Sequence, residues 1–481
     1  MRRQRTMFFG RKPARTPRKD GDNPPVPDRR HAALKMEELD VRFDNDTATQ
    51  FGGYPLWHAF AQRAGLNAKL AQHLKLDRGP NAFTAPEAAR FLVDAKLLGC
   101  ERLMHVETAR LDPMLTACAG LDGLPSGKTL GLFLKQHTPE HVAALDRLNV
   151  RLNDEQWRKF RRAGRGRAEA RRRVGLDYDS STFAVYGKQQ EADRGRSFRK
   201  KDSPGFQPRF AFLAGLGVMV NQELQPQSHN LNRDFQEFHR ESVGKLPRGA
   251  KLAFVRGDGG IYSFENVRLF EGQRLLYGLS AAVTPHLRER ILAIAEADWE
   301  EGTDEAGRVY SLARIRYCPA TWDGRERTYL LSRRLREPRG QGYLVEGMRC
   351  EYYAYVTNLP GSAYEQFRFC TERCSLEAFV KEAKLGLHYD RLPCAEATAN
   401  RAYLQYVQTA YNLGIYFKLH AAPRPVNRWT LDTVRARWWV VCGSLRRRAG
   451  RRGLSLARWW PYPTVFRRVA EVCFGWACGP P

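Results

Sequence analysis

The sequence predicts an α/β protein in which a helical N-terminal region precedes a mixed-sheet core that a β-rich insertion interrupts. Three observations predict it. Apolar residues recur at helical spacing from about Met36 to Asn153, alternating and buried strand runs begin at Val174, and helical spacing returns from Ser375 to about Phe417. The chain has 481 residues, long enough for roughly two to four units. Lys and Arg number 79 against 52 Asp and Glu, a net charge of +27. That excess makes a polyanion the default partner, and nucleic acid is favoured over membrane because no stretch approaches spanning length. Hydrophobic residues at 43% suffice for packed cores.

Taken in order, about the first 35 residues are polar, Pro-rich and basic, with no apolar signal segment after Arg2, Arg3 and Arg5. They read as a disordered arm. Leu56 to Phe60, Ala85 to Val93 and Leu130 to Lys135 then carry apolar residues three to four apart. The stretch Ser126-Gly127-Lys128-Thr129 faintly resembles a phosphate-binding loop. Its first glycine is misplaced and no buried strand precedes it, so it reads as a helix start capped by Ser126 or Thr129. Arg158 to Arg173 is the densest basic run; a solvated linker face and a phosphate-contacting segment containing Arg171, Arg172 and Arg173 fit it equally. The ten cysteines show no CxxC pair or zinc spacing, which suits reduced thiols in a cytoplasmic protein.

Val174 to Asp179 alternates, placing Val174, Leu176 and Tyr178 on one strand face and Asp177 and Asp179 on the other. Phe210 to Val220 and Leu252 to Val255 read as buried strands, and Asp258 follows the second. His286 to Glu301 reads as a helix, followed by short alternating segments. In the run Arg373 to Leu387, Leu376, Phe379, Val380, Ala383 and Leu387 form an apolar stripe. Arg373, Glu377, Lys381 and Lys384 share the opposite face. A solvated face with one Glu-Lys pair explains that run alone. Each acid alone is likewise more simply a turn former or cap. Asp179, Asp258 and Glu377 together, in the order strand, strand, insertion, helix, form a set able to hold two divalent cations for phosphodiester cleavage. Mg²⁺ suits such all-oxygen ligands, with Mn²⁺ as a substitute.

Leu176-Asp177-Tyr178-Asp179-Ser180-Ser181-Thr182, with Gly187-Lys188-Gln189 after it, resembles the first aspartate region of bacterial insertion-sequence transposases of the DDE type. Val255 to Gly260 resembles their second aspartate motif. Arg373-x3-Glu377-x6-Lys384 is similar to their tyrosine-arginine-glutamate-lysine signature, and Gly386 to Pro393 and Tyr411 to Gly414 also match. The resemblance implies an RNase H-like core interrupted between Asp258 and Glu377, with Asp179, Asp258 and Glu377 as metal ligands. It implies that Arg373 and Lys384 contact DNA near the cleaved phosphate; Lys381 and Lys188 are further DNA-binding candidates. It further implies hydrolysis at the element's ends and transfer of the 3′-hydroxyl to target DNA. The partners would be double-stranded DNA, as terminal inverted repeats and target, and further copies of the chain in a homodimer or higher assembly; the setting would be nucleoid-associated.

Two departures stand out. The signature tyrosine falls at Cys370, and the first motif carries an extra serine, with Asp177 the alternative ligand to Asp179. A catalytically decayed, transposase-derived DNA-binding protein is therefore the second expectation, and an RNA-binding protein a third. The expected organisation is a basic arm (1–35), a helical DNA-binding region (36–165), the first part of the core (166–270), a β-rich insertion (271–360), the second part of the core (361–422) and a basic, Trp-rich segment (423–481). In that last segment Trp438-Trp439 and Trp459-Trp460 lie among arginines. They read either as a small core with a basic skin or as base-stacking aromatics.

Overall fold

The computed structural model describes residues 39–163, 173–185, 187–195, 203–230, 232–303, 309–335, 350–372, 374–423, 426, 429–448 and 451–476, with backbone alone at 335, 374–377, 447, 448 and 451. The expected arm, Arg171, Arg172 and Arg373 lie outside the described residues.

A short strand, β1 (Ala48–Thr49), leads into helices α1 (Tyr54–Arg63), α2 (Leu66–His73), α3 (Ala85–Leu97), α4 (Pro113–Ala119), α5 (Gly127–Lys135) and α6 (Pro139–Arg162). Local chemistry sets where they start. Thr84 and Glu87 form a reciprocal capping box at α3, with Pro86 in the first turn. Asp112 accepts from the Met114 amide to open α4. Ser126, not Thr129, caps α5 by accepting from the Thr129 amide. A Cβ on Gly127 would stand 2.6 Å from the Leu103 carbonyl oxygen, so this glycine serves close packing and not a phosphate.

The core follows as β2 (Arg173–Ser180), β3 (Phe183–Ala184), β4 (Gly205–Phe206), β5 (Arg209–Leu213), β6 (Val218–Glu223), α7 (Phe235–Gly244), β7 (Lys251–Gly257), α8 (Phe264–Gly272) and β8 (Leu276–Ala281). Then come α9 (Pro285–Leu292), β9 (Glu300–Thr303), β10 (Val309–Tyr317), β11 (Arg327–Leu335) and β12 (Cys350–Thr357). Helices α10 (Ala363–Thr371), α11 (Cys374–Lys381) and α12 (Ala397–His420) return to the core, and α13 (Leu431–Val434), β13 (Gly443–Arg448), β14 (Arg451–Leu456) and α14 (Pro463–Phe474) end it.

One nine-stranded sheet runs in the order β6-β5-β2-β7-β8-β12-β11-β10-β9. Strands β2, β7 and β8 are parallel neighbours, and every other pairing in that sheet is antiparallel. The five strands β6, β5, β2, β7 and β8 form the mixed core, with the first two pairings antiparallel and the last two parallel. The insertion strands make no sheet of their own. They continue the core sheet through β12, paired to β8, so the insertion extends one hydrophobic layer.

The β2 faces divide as the alternation predicts. Tyr178 packs against Phe235, Phe238 and His239 of α7, and its hydroxyl shares a 2.8 Å hydrogen bond with His239 Nδ1. Asp177 and Asp179 face the other side, where α10 and α11 lie. The nearly all-buried α12 packs on α6 and α3. In the motif Tyr411 to Gly414, the Asn412 side chain accepts from the Met219 amide at 2.9 Å and donates to the Met219 carbonyl at 2.7 Å. It thereby pairs the outer edge of β6 as another strand would. That motif is architectural.

The two ends of the described chain meet. Strand β1 pairs antiparallel with β13, and Trp439 packs on Trp57. Trp438 and Trp439 are fully buried and Trp460 nearly so, while Trp459 is exposed. Three of the four tryptophans thus join the main hydrophobic core, where Trp438 and Trp439 pack on Phe417 of α12, and not a small core of their own. Among the described residues, no helix is long and apolar enough to cross a membrane.

Candidate active site

The site begins with strand register. The parallel β2–β7 ladder ends at Tyr178 opposite Gly257. One residue further along each strand come Asp179 and Asp258, at the carboxyl ends of two adjacent parallel strands. Asp179 is still held by pairing with Phe210 of β5, and its own Oδ1 accepts from the Ser180 amide at 2.8 Å. It is nearly buried, whereas Asp258 is half-buried. Asp258 caps the turn that follows β7, accepting from the Gly260 amide at 2.9 Å. The carboxylate therefore ends the strand and shapes the loop that opens to solvent.

Two residues earlier, the same strands carry a buried ion pair. Arg256 donates from Nε to Asp177 Oδ1 at 2.7 Å and from Nη2 to Oδ2 at 2.9 Å. Its Nη1 donates to the Phe369 carbonyl at 3.1 Å and to Glu372 at 3.2 Å. One guanidinium so ties β2, β7 and the end of α10 together. Burial opposes the Arg256 charge, but Asp177, then Glu372, outweigh it and raise its pKa above the ordinary value. Asp177 is fully buried in this bidentate pair, which separates the two aspartates: Asp177 faces a cation inside the fold, and Asp179 sits at the strand end.

Helix α11, which carries Glu377 in its backbone, packs on β2 on the face that Asp177 and Asp179 share. Val380, Ala383 and Leu387 are buried, and the Phe379 ring packs against Phe212. A π-helical turn, Glu382–Gly386, continues the helix; such turns recur at functional sites. Glu382 faces inward, accepting from Lys418 Nζ at 3.1 Å and from the Leu431 amide at 2.7 Å. Lys384 turns toward the first motif, where its Nζ donates to Ser181 Oγ at 2.9 Å and to the Thr182 carbonyl at 3.2 Å.

Lys384→Met should keep the aliphatic packing and remove both hydrogen bonds. Loss of about 1–3 kcal/mol is expected, read as a lower urea midpoint. An unchanged midpoint would show that these contacts contribute nothing to stability.

The structure thus brings together Asp179, Asp258, the helix of Glu377, and Lys384. Lys381 and Lys188 are exposed. Arg173, also exposed, stands at the opposite end of β2 from Asp179, about 20 Å along the strand. Cys370 is buried against β8, where a Cβ on Gly278 would come 2.8 Å from its sulfur; no hydroxyl is presented there. Sequence reasoning gave Arg256 and Glu372 no role. Arg256 lies inside the second aspartate motif, two residues from Asp258, and that spacing was the available signal.

The family model described as "Transposase DDE domain group 1" matches residues 31–474. No curated protein matches the sequence. Among solved structures, the cryo-EM structure of a piggyBac transposase synaptic complex with hairpin DNA is similar at a TM-score of 0.42 and 9% identity, covering 80% of this chain and 79% of that one. With a match that takes in both strand-end aspartates and the helix of Glu377, the chain belongs to the DDE transposases of that group.

Proposed function

We propose that this chain hydrolyses phosphodiester bonds at the ends of an insertion sequence and joins the freed 3′-hydroxyl to target DNA. The observation that carries this reading is the placement of Asp179 and Asp258 side by side at the ends of β2 and β7. The α11 backbone that holds Glu377 packs over the same strand face. The donor set fits hard divalent cations, since it consists of carboxylates with one of them half-open to solvent. Asp179, Asp258 and Glu377 would hold two Mg²⁺ ions, or Mn²⁺ in their place. Held there, such ions would supply activation of the attacking oxygen and stabilisation of the leaving oxygen.

The chain's own contribution is position. The β2–β7 ladder and the Arg256 clamp hold the two aspartate backbones together, and Lys384 fixes the loop after Asp179. Arg373, Lys381 and Lys188 contact DNA phosphates, as do Arg171, Arg172 and Arg173. The DNA is the terminal inverted repeats and the target. The enzyme works as a homodimer or higher assembly on paired ends, in the nucleoid.

The test is strand cleavage of a labelled duplex bearing the inverted repeat that flanks the coding sequence. Mg²⁺-dependent cutting at the repeat boundary is expected, lost with EDTA and with Glu377→Ala. The buried thiol at Cys370 favours one other reading, a decayed copy that binds ends without cutting. Binding of the duplex with no cleavage in Mg²⁺ or Mn²⁺ would select it.

A further inference from the structure

Beside Asp258 lies a cleft of about 580 Å³ that no motif foretold. Its walls include Ser180, Arg194, Gln207, Gln227, His229 and Asp258. These come from five separate stretches of chain, and hydrogen bonds lock four of them together. Asp193 accepts from the Ser228 amide at 2.8 Å and from its hydroxyl. Gln227 donates to the Gly195 carbonyl at 3.4 Å, and Gln207 donates to Ser180 Oγ at 3.3 Å. Asp193 and Gly205 form a further backbone bridge. The walls are thus built before anything binds.

Two side chains in this frame are left over. Arg194 is exposed and His229 half-buried, and among the described residues neither side chain has a hydrogen-bond, ion-pair or ring partner. A fixed wall that spends its amides and its acid on itself, yet leaves a guanidinium and an imidazole facing an open cleft, is suited to an anion. Among the described residues Asp258 is the one acid on the lining, and the proposed function commits it to cations. The cleft is of the size that takes one nucleotide-sized group.

We propose that Arg194 and His229 form a phosphate-binding subsite for the DNA strand being cut, holding a phosphodiester within one nucleotide of the scissile bond. This rests on the assignment of Asp258 to the cleavage site. Arg194 supplies a forked donor to two phosphate oxygens and His229 a single N–H. They are positioning residues, setting where the strand lies relative to the aspartates.

The experiment uses the full chain, Mg²⁺ and the labelled repeat-end duplex, together with a set of duplexes each carrying one uncharged methylphosphonate near the cut. Arg194→Ala is expected to lower kcat/KM by about 10- to 100-fold, and Arg194→Lys to recover part of the loss. His229→Asn should lose less. At one matched position the methylphosphonate should reduce the parent to the level of Arg194→Ala and cost that variant nothing more, a non-additivity that a purely structural role would not produce. Arg194→Ala should also lower the salt slope of binding by about one.

The same cycle read as affinity in EDTA applies if the chain binds without cutting. Multiplicative effects at every position, or Arg194→Ala and His229→Asn both within twofold of the parent while Asp258→Asn is inactive, would overturn the subsite alone. Cleavage by Asp258→Asn at the parental rate would overturn the active-site assignment, and the subsite with it.

Discussion

Asp258→Asn is expected to abolish strand cleavage while leaving the fold intact. The substitution is nearly isosteric, and the retained amide oxygen can still accept from the Gly260 amide, so the turn after β7 keeps its cap. What it removes is one negative charge at the end of β7, beside Asp179 at the end of β2. A neutral amide binds hard divalent cations more weakly than a carboxylate, and metal-borne stabilisation of a phosphodiester transition state amounts to several kcal/mol. Loss of cleavage by on the order of 10³-fold or more should follow, with repeat-end binding and the urea midpoint close to those of the parent. Cleavage within tenfold of the parent would remove Asp258 from the metal set.

The second large effect is on stability. Arg256→Met leaves the fully buried Asp177 carboxylate without its bidentate partner, and breaking a buried pair on one side costs about 3–5 kcal/mol. It also releases the Phe369 carbonyl and Glu372, so the end of α10 should loosen just before α11. The informative comparison is with the double variant Arg256→Met/Asp177→Leu. Replacing both partners by apolar groups removes the uncompensated charge, so the double variant should recover much of the midpoint lost by the single one. Cleavage should stay depressed in both, because the tie between β2, β7 and α10 is gone. Full cleavage by the double variant would reduce Arg256 to a packing residue.

Much of this site was legible before folding, because a strand repeats every second residue. The alternation through Val174 to Asp179 put both aspartates on one face, and the structure keeps them there. Which aspartate looks inward depended on Arg256, a partner 79 positions away whose role no local pattern marks. The run Phe210 to Val220, read as one strand, is a hairpin of β5 and β6. Gly215 and Gly217 take positive φ of 75° and 70° there, a conformation their flanking residues do not adopt readily. The helix expected over His286 to Glu301 stops at Leu292; a 3-10 turn, Glu296–Asp298, follows, and Glu300–Thr303 pairs with β10 as a strand. The cleft was invisible for a different reason. Arg194, Gln207 and His229 lie in loops, and only the folded ladder brings them beside Asp258.

The pairing of β1 with β13 sets a schedule for the molecule's birth. Thr49 and Gly443 are about 400 residues apart, and ribosomes add about 5–20 residues per second. The first helices therefore emerge some 20–80 s before the strand and the Trp439 ring that close over them. During that interval the face of α1 that carries Trp57 lacks its Trp439 cover. The nascent polypeptide acquires that closure only once β13 has been made, so the N-terminal helices of a DNA-cutting enzyme stay open on that side until then.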